Sequence, residues 1–451
     1  MDVLVCSLVR QFFGVGRRQA GARLCLVSLL LPWFADHAWA QDRIGFDFDD
    51  PPETVHPITK ALSYGANLEL DFVYQDGFDL GLGESADETA AEPKAELAFT
   101  YEPNAALRAF LVLELSQTYI LDSGDGSSAE DVQFEVKEAY FALRELAEGF
   151  TLQVGRQQYQ DELDWYYDQE LDAVRAYQRF GGSVLEASAS REALVQRDML
   201  NNDEVEKVNN FFLVGHTALG EDSLADALAL LRDGREAGTE DLYVLGLQST
   251  GELSSDLDYW VNAAYVGGQN TDADGGSDIS GFGFDVMGTY VADLPFEPSL
   301  SLGLAYGSGD GDPGKGEDHN FRQTGLQSNE AELNGVVPIK YYGELFDPEL
   351  SNLMVLTLGV GVLPSEATSV DLLYHYYRQD SAADALRSSN LDADPDGEHK
   401  ELGHELDLVI GTQEVPGLTA ELVFGAFFPG RAFGPNADIA YLAGLEVQFA
   451  F

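Results

Sequence analysis

An all-β fold, a membrane-spanning antiparallel β-barrel of about eighteen strands, is predicted by three features of this 451-residue sequence. In the closing segment Ile439, Tyr441, Ala443, Leu445, Val447, Phe449 and Phe451 put an apolar side chain at every second position, while Asp438, Ala440, Gly444, Glu446, Gln448 and Ala450 are small or polar. Such a strand separates an apolar medium from water. Beyond residue 40 no segment approaches the ~20 apolar residues of a spanning helix, so any membrane role requires strands. The charge is also extreme, 25 Lys and Arg against 78 Asp and Glu. Self-repulsion of that size argues against one ordinary soluble core, and its sign argues against nonspecific nucleic-acid binding.

The N-terminus reads as an export signal over residues 1–40. Arg10, Arg17, Arg18 and Arg23 precede an apolar run from Leu24 to Phe34, and Ala38-Trp39-Ala40 supplies the small residues of a cleavage site, which falls between Ala40 and Gln41. The run is too short to span a bilayer. Both cysteines, Cys6 and Cys25, leave with the signal, so the mature chain has neither disulfides nor cysteine metal sites. Residues 41–63 are an Asp- and Pro-rich lead-in, and a single barrel domain is expected over 64–451.

The strand pattern begins at Tyr64, where Ala66, Leu68, Leu70, Phe72 and Tyr74 alternate with Asn67, Glu69 and Asp71. It recurs around Leu97, Phe99 and Tyr101, and again at Leu107, Leu111, Leu113 and Leu115, with Glu102-Pro103-Asn104 as a tight turn between. Further strands are expected near 131–143, 150–158, 172–180, 182–190, 205–217, 241–250, 257–266, 280–291, 298–306, 352–362, 367–377, 402–412, 417–427 and 437–451. That total is odd, whereas strands that start and finish in the periplasm must be even in number. Leu224 to Arg232, helical by propensity, supplies the missing strand and brings the count to about eighteen. Every short connection is then periplasmic. The long acidic loops, 75–92, 119–130, 159–171, 191–204, 233–240, 267–279, 307–351, 378–401 and 428–436, are extracellular. Tyr64, Tyr74, Tyr101, Tyr259, Trp260, Tyr265, Tyr290 and Tyr374 suit aromatic girdles. The terminal Phe451 resembles the last residue of bacterial outer-membrane barrels, which implies reading by the barrel-assembly machinery.

Three segments are more specific: Gly155-Arg156-Gln157 with Asp161-Glu162-Leu163-Asp164-Trp165-Tyr166-Tyr167 and Leu171-Asp172-Ala173-Val174-Arg175; Phe321 to Asn329; and Gly343-Glu344-Leu345-Phe346-Asp347-Pro348 running on to Leu353. Together with Tyr374 to Arg378, His404 to Val409 and Pro429 to Phe433, they cover most of the mature chain. In this order they resemble the alginate-export family of outer-membrane barrels. The resemblance implies a monomeric barrel that lets a polyuronate leave the cell passively, through a constriction whose arginines meet the polymer's carboxylates with charge-assisted bidentate hydrogen bonds. By position in matching motifs Arg156, Arg175 and Arg322 are the first candidates for the transport path, with Arg378 and Arg431 second. Asp172 would hold Arg175 or a neighbouring arginine.

Strand alternation adds Arg179 to the lumen beside Arg175. It makes Arg156 awkward, because Arg156 shares parity with the lipid-facing Phe150, Leu152 and Val154 unless a bulge near Gly155 or a position above the membrane frees it. Alternation also turns Glu69, Asp71, Glu96, Glu114, Asp285, Glu405, Asp407, Glu421 and Glu446 inward, against Lys94, Arg108, Arg175 and Arg179. That wall would repel a polyanion unless the arginines cluster at one level. The link Gln413 to Gly417 is too short for the periplasmic plug that the family can place there.

Asp392-Ala393-Asp394-Pro395-Asp396-Gly397 opens like a calcium loop, but Gly403 stands where a bidentate Glu is needed, so loose divalent binding by acidic loops is the expectation and no cofactor is implied. Six histidines remain in the mature chain, none beside a recognisable nucleophile motif, so an enzyme is not expected. The function expected is passive export of an alginate-like acidic exopolysaccharide across the outer membrane. The alternative is a cation-preferring diffusion porin. The partners expected are the anionic polysaccharide, outer-membrane lipid and lipopolysaccharide, and periplasmic delivery proteins.

Overall fold

The computed structural model describes residues 55–83, 87–123, 126–201, 207–220, 222–234, 239–270, 277–312 and 316–451. The expected export signal and its cleavage site at Ala40 and Gln41 lie outside the described residues. Among those described, eighteen long strands run in chain order: β1 (Leu62–Asp76), β2 (Glu88–Asn104), β3 (Leu107–Ser116), β4 (Gln133–Ala147), β5 (Phe150–Gln160), β6 (Asp168–Phe180), β7 (Ser183–Arg191), β8 (Asn209–Ala218) and β9 (Ser223–Asp233). There follow β10 (Asp241–Ser254), β11 (Leu257–Gln269), β12 (Asp278–Val291), β13 (Ser299–Gly307), β14 (Leu353–Ser365), β15 (Thr368–Gln379), β16 (Glu401–Val415), β17 (Leu418–Pro429) and β18 (Ala440–Ala450).

Each strand pairs antiparallel with its neighbours in sequence, and β18 closes on β1 from Asn67 opposite Ala450 to Asp76 opposite Tyr441. Ala66 and Phe451 exchange both backbone hydrogen bonds at the seam, 2.8 and 2.9 Å. Closure leaves no strand edge to face hydrocarbon, where an unpaired peptide group costs several kcal/mol. The same rule decides β9. Its helical propensity is overridden because Asn209 to Ala218 on one side and Leu242 to Gly251 on the other require a strand between them.

Alternation holds around the wall. Leu68, Leu70 and Tyr74 on β1, Leu300, Leu302 and Leu304 on β13, and Tyr441, Leu445 and Phe449 on β18 are exposed on the outer face. Their neighbours in sequence face the lumen. Six turns at one end have only two residues each, among them Ala105-Ala106, Glu148-Gly149 and Pro416-Gly417, and all the long loops leave the other end. Several boundaries differ from expectation by three or four residues, among them β6, which begins at Asp168 rather than 172, and β10, which runs to Ser254 rather than 250. β2 begins at Glu88, inside the expected first loop, because Tyr119–Ser123 pairs with Glu88 to Ala91 and extends the sheet upward. β8 begins at Asn209 rather than 205.

One irregularity matters later. β4 and β5 pair only from Ala147 to Ala139, opposite Phe150 to Arg156, and then part. Gly155 marks the fork with φ +131°, and a Cβ there would lie 2.1 Å from the Ala139 carbonyl oxygen. Above the fork the freed edge of β4 pairs with the loop after β7 instead. Val136 donates to the Arg197 carbonyl (3.2 Å) and Met199 to the Phe134 carbonyl (2.8 Å).

Candidate functional site

The lumen is occupied by two of the long loops. In loop 161–167 the Asp161 carboxylate accepts from the backbone N–H groups of Leu163, Tyr166 and Tyr167 (3.2, 2.7 and 2.9 Å) and from the Gln248 amide on β10 (2.7 Å). That single carboxylate ties the loop to the opposite wall. It also drives Leu163, Trp165, Tyr166 and Tyr167 inward, all at most 5 % exposed. Tyr166 reaches across to donate to the Leu247 and Ala263 carbonyls, 3.0 Å each, over Gly246, where a Cβ would come within 2.5 Å of the ring.

The second loop, over its described residues 316–352, folds down beside the first. Trp165 Nε1 donates to Tyr342 Oη (2.8 Å), Tyr341 Oη to the Leu163 carbonyl (2.8 Å), and the Gln323 amide to the Trp165 carbonyl (3.1 Å). Its lower end rests on Glu405 of β16, which accepts from the N–H of Leu345 (2.8 Å), the N–H of Phe346 (3.1 Å) and the hydroxyl of Tyr377 (3.1 Å). Gly343, at φ +113°, has no room for a side chain: a Cβ would lie 2.2 Å from Tyr377 Oη. The two loops and the facing wall form one continuous apolar cluster, and together they are a plug. Burial in it pushes the carboxyls of Asp164 and Glu344 up to about 8, with the neighbouring carboxylates of Asp168 and of Glu421 adding to the effect.

The arginines expected along the path are mostly elsewhere. Arg156 pairs with Asp172 on the outer side of the wall, where Val154 and Val174 are exposed, so neither residue lines the lumen; of the partners expected for Asp172 it holds the neighbouring arginine, Arg156, and not Arg175. The parity that made Arg156 awkward is its actual orientation, and the loop after β7 covers it. Arg378 shares the outward face of Leu372 on β15 and is exposed. Arg431, in a 3-10 turn outside the wall strands, has a largely exposed side chain paired with Glu401 (2.8 Å). Arg179 is exposed near the short-turn end of β6.

Arg175 does face inward, yet it is sealed beneath the plug. One edge of its guanidinium, Nε and Nη2, is held by Glu186 (2.8 and 3.0 Å), Nη1 donates to the Gln158 carbonyl (3.0 Å), and it lies 4.1 Å from the Tyr159 ring centre. Arg322 is buried within the plug loop, between Glu240 (2.9 Å) and Asp318 (2.6 Å), and Glu240 is shared with Arg387. No signal in the sequence pointed to Arg387 or Glu240, which meet across 147 positions.

The plug divides the expected acidic wall in two. Asp285, Glu405 and Asp407 are covered, and Trp260 donates to Asp285 (2.9 Å). Glu69, Asp71, Glu114 and Glu421 remain only partly buried, and Glu446 is exposed, on the side of β1 to β3, β17 and β18. Among the described residues, Arg108 of β3 lies near the short turns, 3.8 Å from Glu102, and the other cations of that side are lysines. Lys94 sits between Glu69 (2.9 Å) and Asp71 (2.6 Å). Lys340, on the hairpin that Glu330–Ala331 and Ile339–Lys340 form within the plug, pairs with Asp347. Glu330 of the same hairpin is within electrostatic reach of Glu421 and Glu446 on the wall. Strict alternation identifies Lys94 but not Lys137, because a bulge opposite Val112 and Leu113 inserts Lys137 into β4 at the fork, where it meets Glu170 (3.1 Å).

Among the described residues Glu69, Asp71 and Glu446 could gather around a cation, but Lys94 already occupies two of them. Asp392, Asp394 and Asp396 lie exposed along an extended segment that alternates with buried Leu391 and Ala393, spread out rather than gathered around one point.

A closed barrel with an apolar exterior, short turns at one end and a lumen lined by charge and filled from the other end defines an outer-membrane channel protein. The alginate export family model matches residues 60–441, and the chain belongs to that family. It is 27 % identical over 378 residues to the alginate production protein AlgE of Pseudomonas aeruginosa, covering 70 % of this chain and 76 % of that one. AlgE of Azotobacter vinelandii is 31 % identical over 160 residues, 31 % of this chain and 33 % of that one. Among solved structures, P. aeruginosa OpdQ aligns with a TM-score of 0.56 at 12 % identity, over 87 % of this chain and 99 % of that one, a likeness of fold.

Proposed function

We propose that this chain lets an anionic exopolysaccharide of the alginate type cross the outer membrane passively, along the water-facing side of the lumen between the plug and the wall of β1 to β3, β17 and β18. The observation that carries the reading is Lys94, a half-buried cation held by Glu69 and Asp71, beside Glu446, which is within electrostatic reach of both Lys94 and Glu330 of the plug. A polymer carboxylate can displace a protein carboxylate from such an ammonium at little net cost, since one charge-assisted bond replaces another. The arginines enter indirectly. Arg175 and Arg322 stiffen the plug that narrows the path. Lipopolysaccharide surrounds the exterior, Phe451 is presented to the assembly machinery, a periplasmic protein delivers the polymer, divalent cations bind loosely to the outer acidic loops, and the barrel works as a monomer.

Planar-bilayer recording tests this. Polyuronate added on the short-turn side should reduce the ion current of the purified protein in a voltage-dependent way, and Lys94→Glu should abolish that block. A current indifferent to polyuronate would remove the reading. It would leave the second one, a cation-preferring diffusion channel, which the partly exposed Glu69, Asp71, Glu114, Glu421 and Glu446 favour.

A further inference from the structure

The outer wall carries a groove of about 530 Å³ where β4 and β5 part, within the range of small-molecule sites. Its floor is Ala139, Val154, Val174 and Ala189, and its roof is Leu194 and Val195 from the loop after β7. Small side chains at Ala139 and Ala189 leave the trough open. The loop is fastened down rather than draped. The N–H groups of Leu194 and Val195 donate to Asp172 (2.6 and 3.0 Å), Arg156 donates to the Val195 carbonyl, and residues 197–199 pair with β4. Yet Leu194, Val195, Met199 and Leu200 are 61–71 % exposed, four large apolar side chains on one short segment. Water opposes leaving four large apolar side chains uncovered.

We propose that this groove is a binding site for an acyl chain of lipid A, the membrane anchor of lipopolysaccharide. Two observations select this occupant. The groove is continuous with the hydrocarbon-facing exterior, since Val154 and Val174 belong to the outward set of β5 and β6. It also opens at the long-loop end, beside Arg191 at the last position of β7 and Asn209 at the first of β8, so the leaflet it meets is the outer one. The inference rests on the outer-membrane reading of the barrel but not on what passes through the lumen. The fastened loop and the buried Arg156 and Asp172 pair then have a purpose: they hold an apolar roof against the wall so that one chain is gripped rather than merely solvating the surface.

Native mass spectrometry of the purified, delipidated full-length protein in detergent, incubated with Kdo2-lipid A, tests the site. A one-to-one adduct is expected. Ala189→Trp, which fills the floor, should weaken it about tenfold or more, and so should Ala139→Phe. Leu302→Trp, on the bare exterior of β13, should leave the adduct unchanged. Folding of each variant is verified by its heat-modifiable migration in gels. Absence of an adduct, equal retention by both filled-groove variants, or equal capture of phosphatidylethanolamine would overturn the proposal. Loss of polyuronate block with the adduct intact would strike only the transport reading.

Discussion

Arg156 and Asp172 form a two-pronged ion pair, 2.9 and 3.1 Å, on the outer side of the wall where β4 and β5 part. Arg156 also donates to the Val136 carbonyl of β4 (2.8 Å), so one guanidinium of β5 holds together three strands, β4, β5 and β6, and the loop that covers them. Breaking a buried ion pair by removing one partner costs about 3–5 kcal/mol, because the remaining charge has no solvent to turn to. Arg156→Ala should therefore lower the unfolding temperature in detergent and expose residues 192–199 to protease, while single-channel conductance stays at the wild-type value. A change in ion selectivity would return Arg156 to the lumen.

Glu405 supports the lower end of the plug through three hydrogen bonds, two of them from the backbone N–H groups of Leu345 and Phe346. Glu405→Ala strands those donors at about 1–3 kcal/mol each. The segment 343–346 should lift from the wall, raising open-channel conductance and making Tyr342 and Leu345 accessible to labelling once replaced by cysteine. Unchanged conductance would mean that the apolar cluster alone seats the plug.

Lys94 balances Glu69 and Asp71. With Lys94→Gln both carboxylates face the lumen uncompensated, and the reversal potential in a salt gradient should move towards that of a purely cation-selective pore. The shift should shrink as ionic strength rises and the Debye length falls below ~8 Å. No shift at low salt would place Lys94 off the conducting path.

Asp164 and Glu344 keep their protons in the plug because burial raises both carboxyls to about 8. A group whose pKa is higher in the folded than in the unfolded state adds stability that is complete below its ordinary value of about 4 and disappears as pH climbs through the folded value. The plug should thus be firmest at acidic pH and loosen progressively up to pH 8. Conductance and protease sensitivity of residues 161–167 should rise over that window, and Asp164→Asn combined with Glu344→Gln should flatten the response. An equally steep response in that double variant would assign it to other carboxyls.

The barrel was legible because its medium writes a short-period rule into every strand. Leu68, Leu70 and Tyr74 outward against Glu69 and Asp71 inward requires no tertiary knowledge, and the even number of strands recovered β9 against its own helical propensity. The loops obey no such period. Asp161 chooses Gln248 and Glu240 chooses Arg387 over separations of 87 and 147 residues, and nothing local announces either choice. For the arginines, motif position pointed to the path, while parity had already placed Arg156 on the far side of the wall.

What the chain's own order of residues determined is the wall: its strand number, its short-turn end, its apolar exterior and its acidic inner face, all consequences of alternation across a boundary between oil and water. Tertiary structure alone decided which inward charges still meet water. Loops 161–167 and 316–352 fold back and bury Arg175, Asp285 and Glu405 but leave Lys94, Glu69 and Asp71 open. The physical reason is that lipid acts on each strand residue by residue, whereas the plug is settled by contacts between segments far apart in the chain.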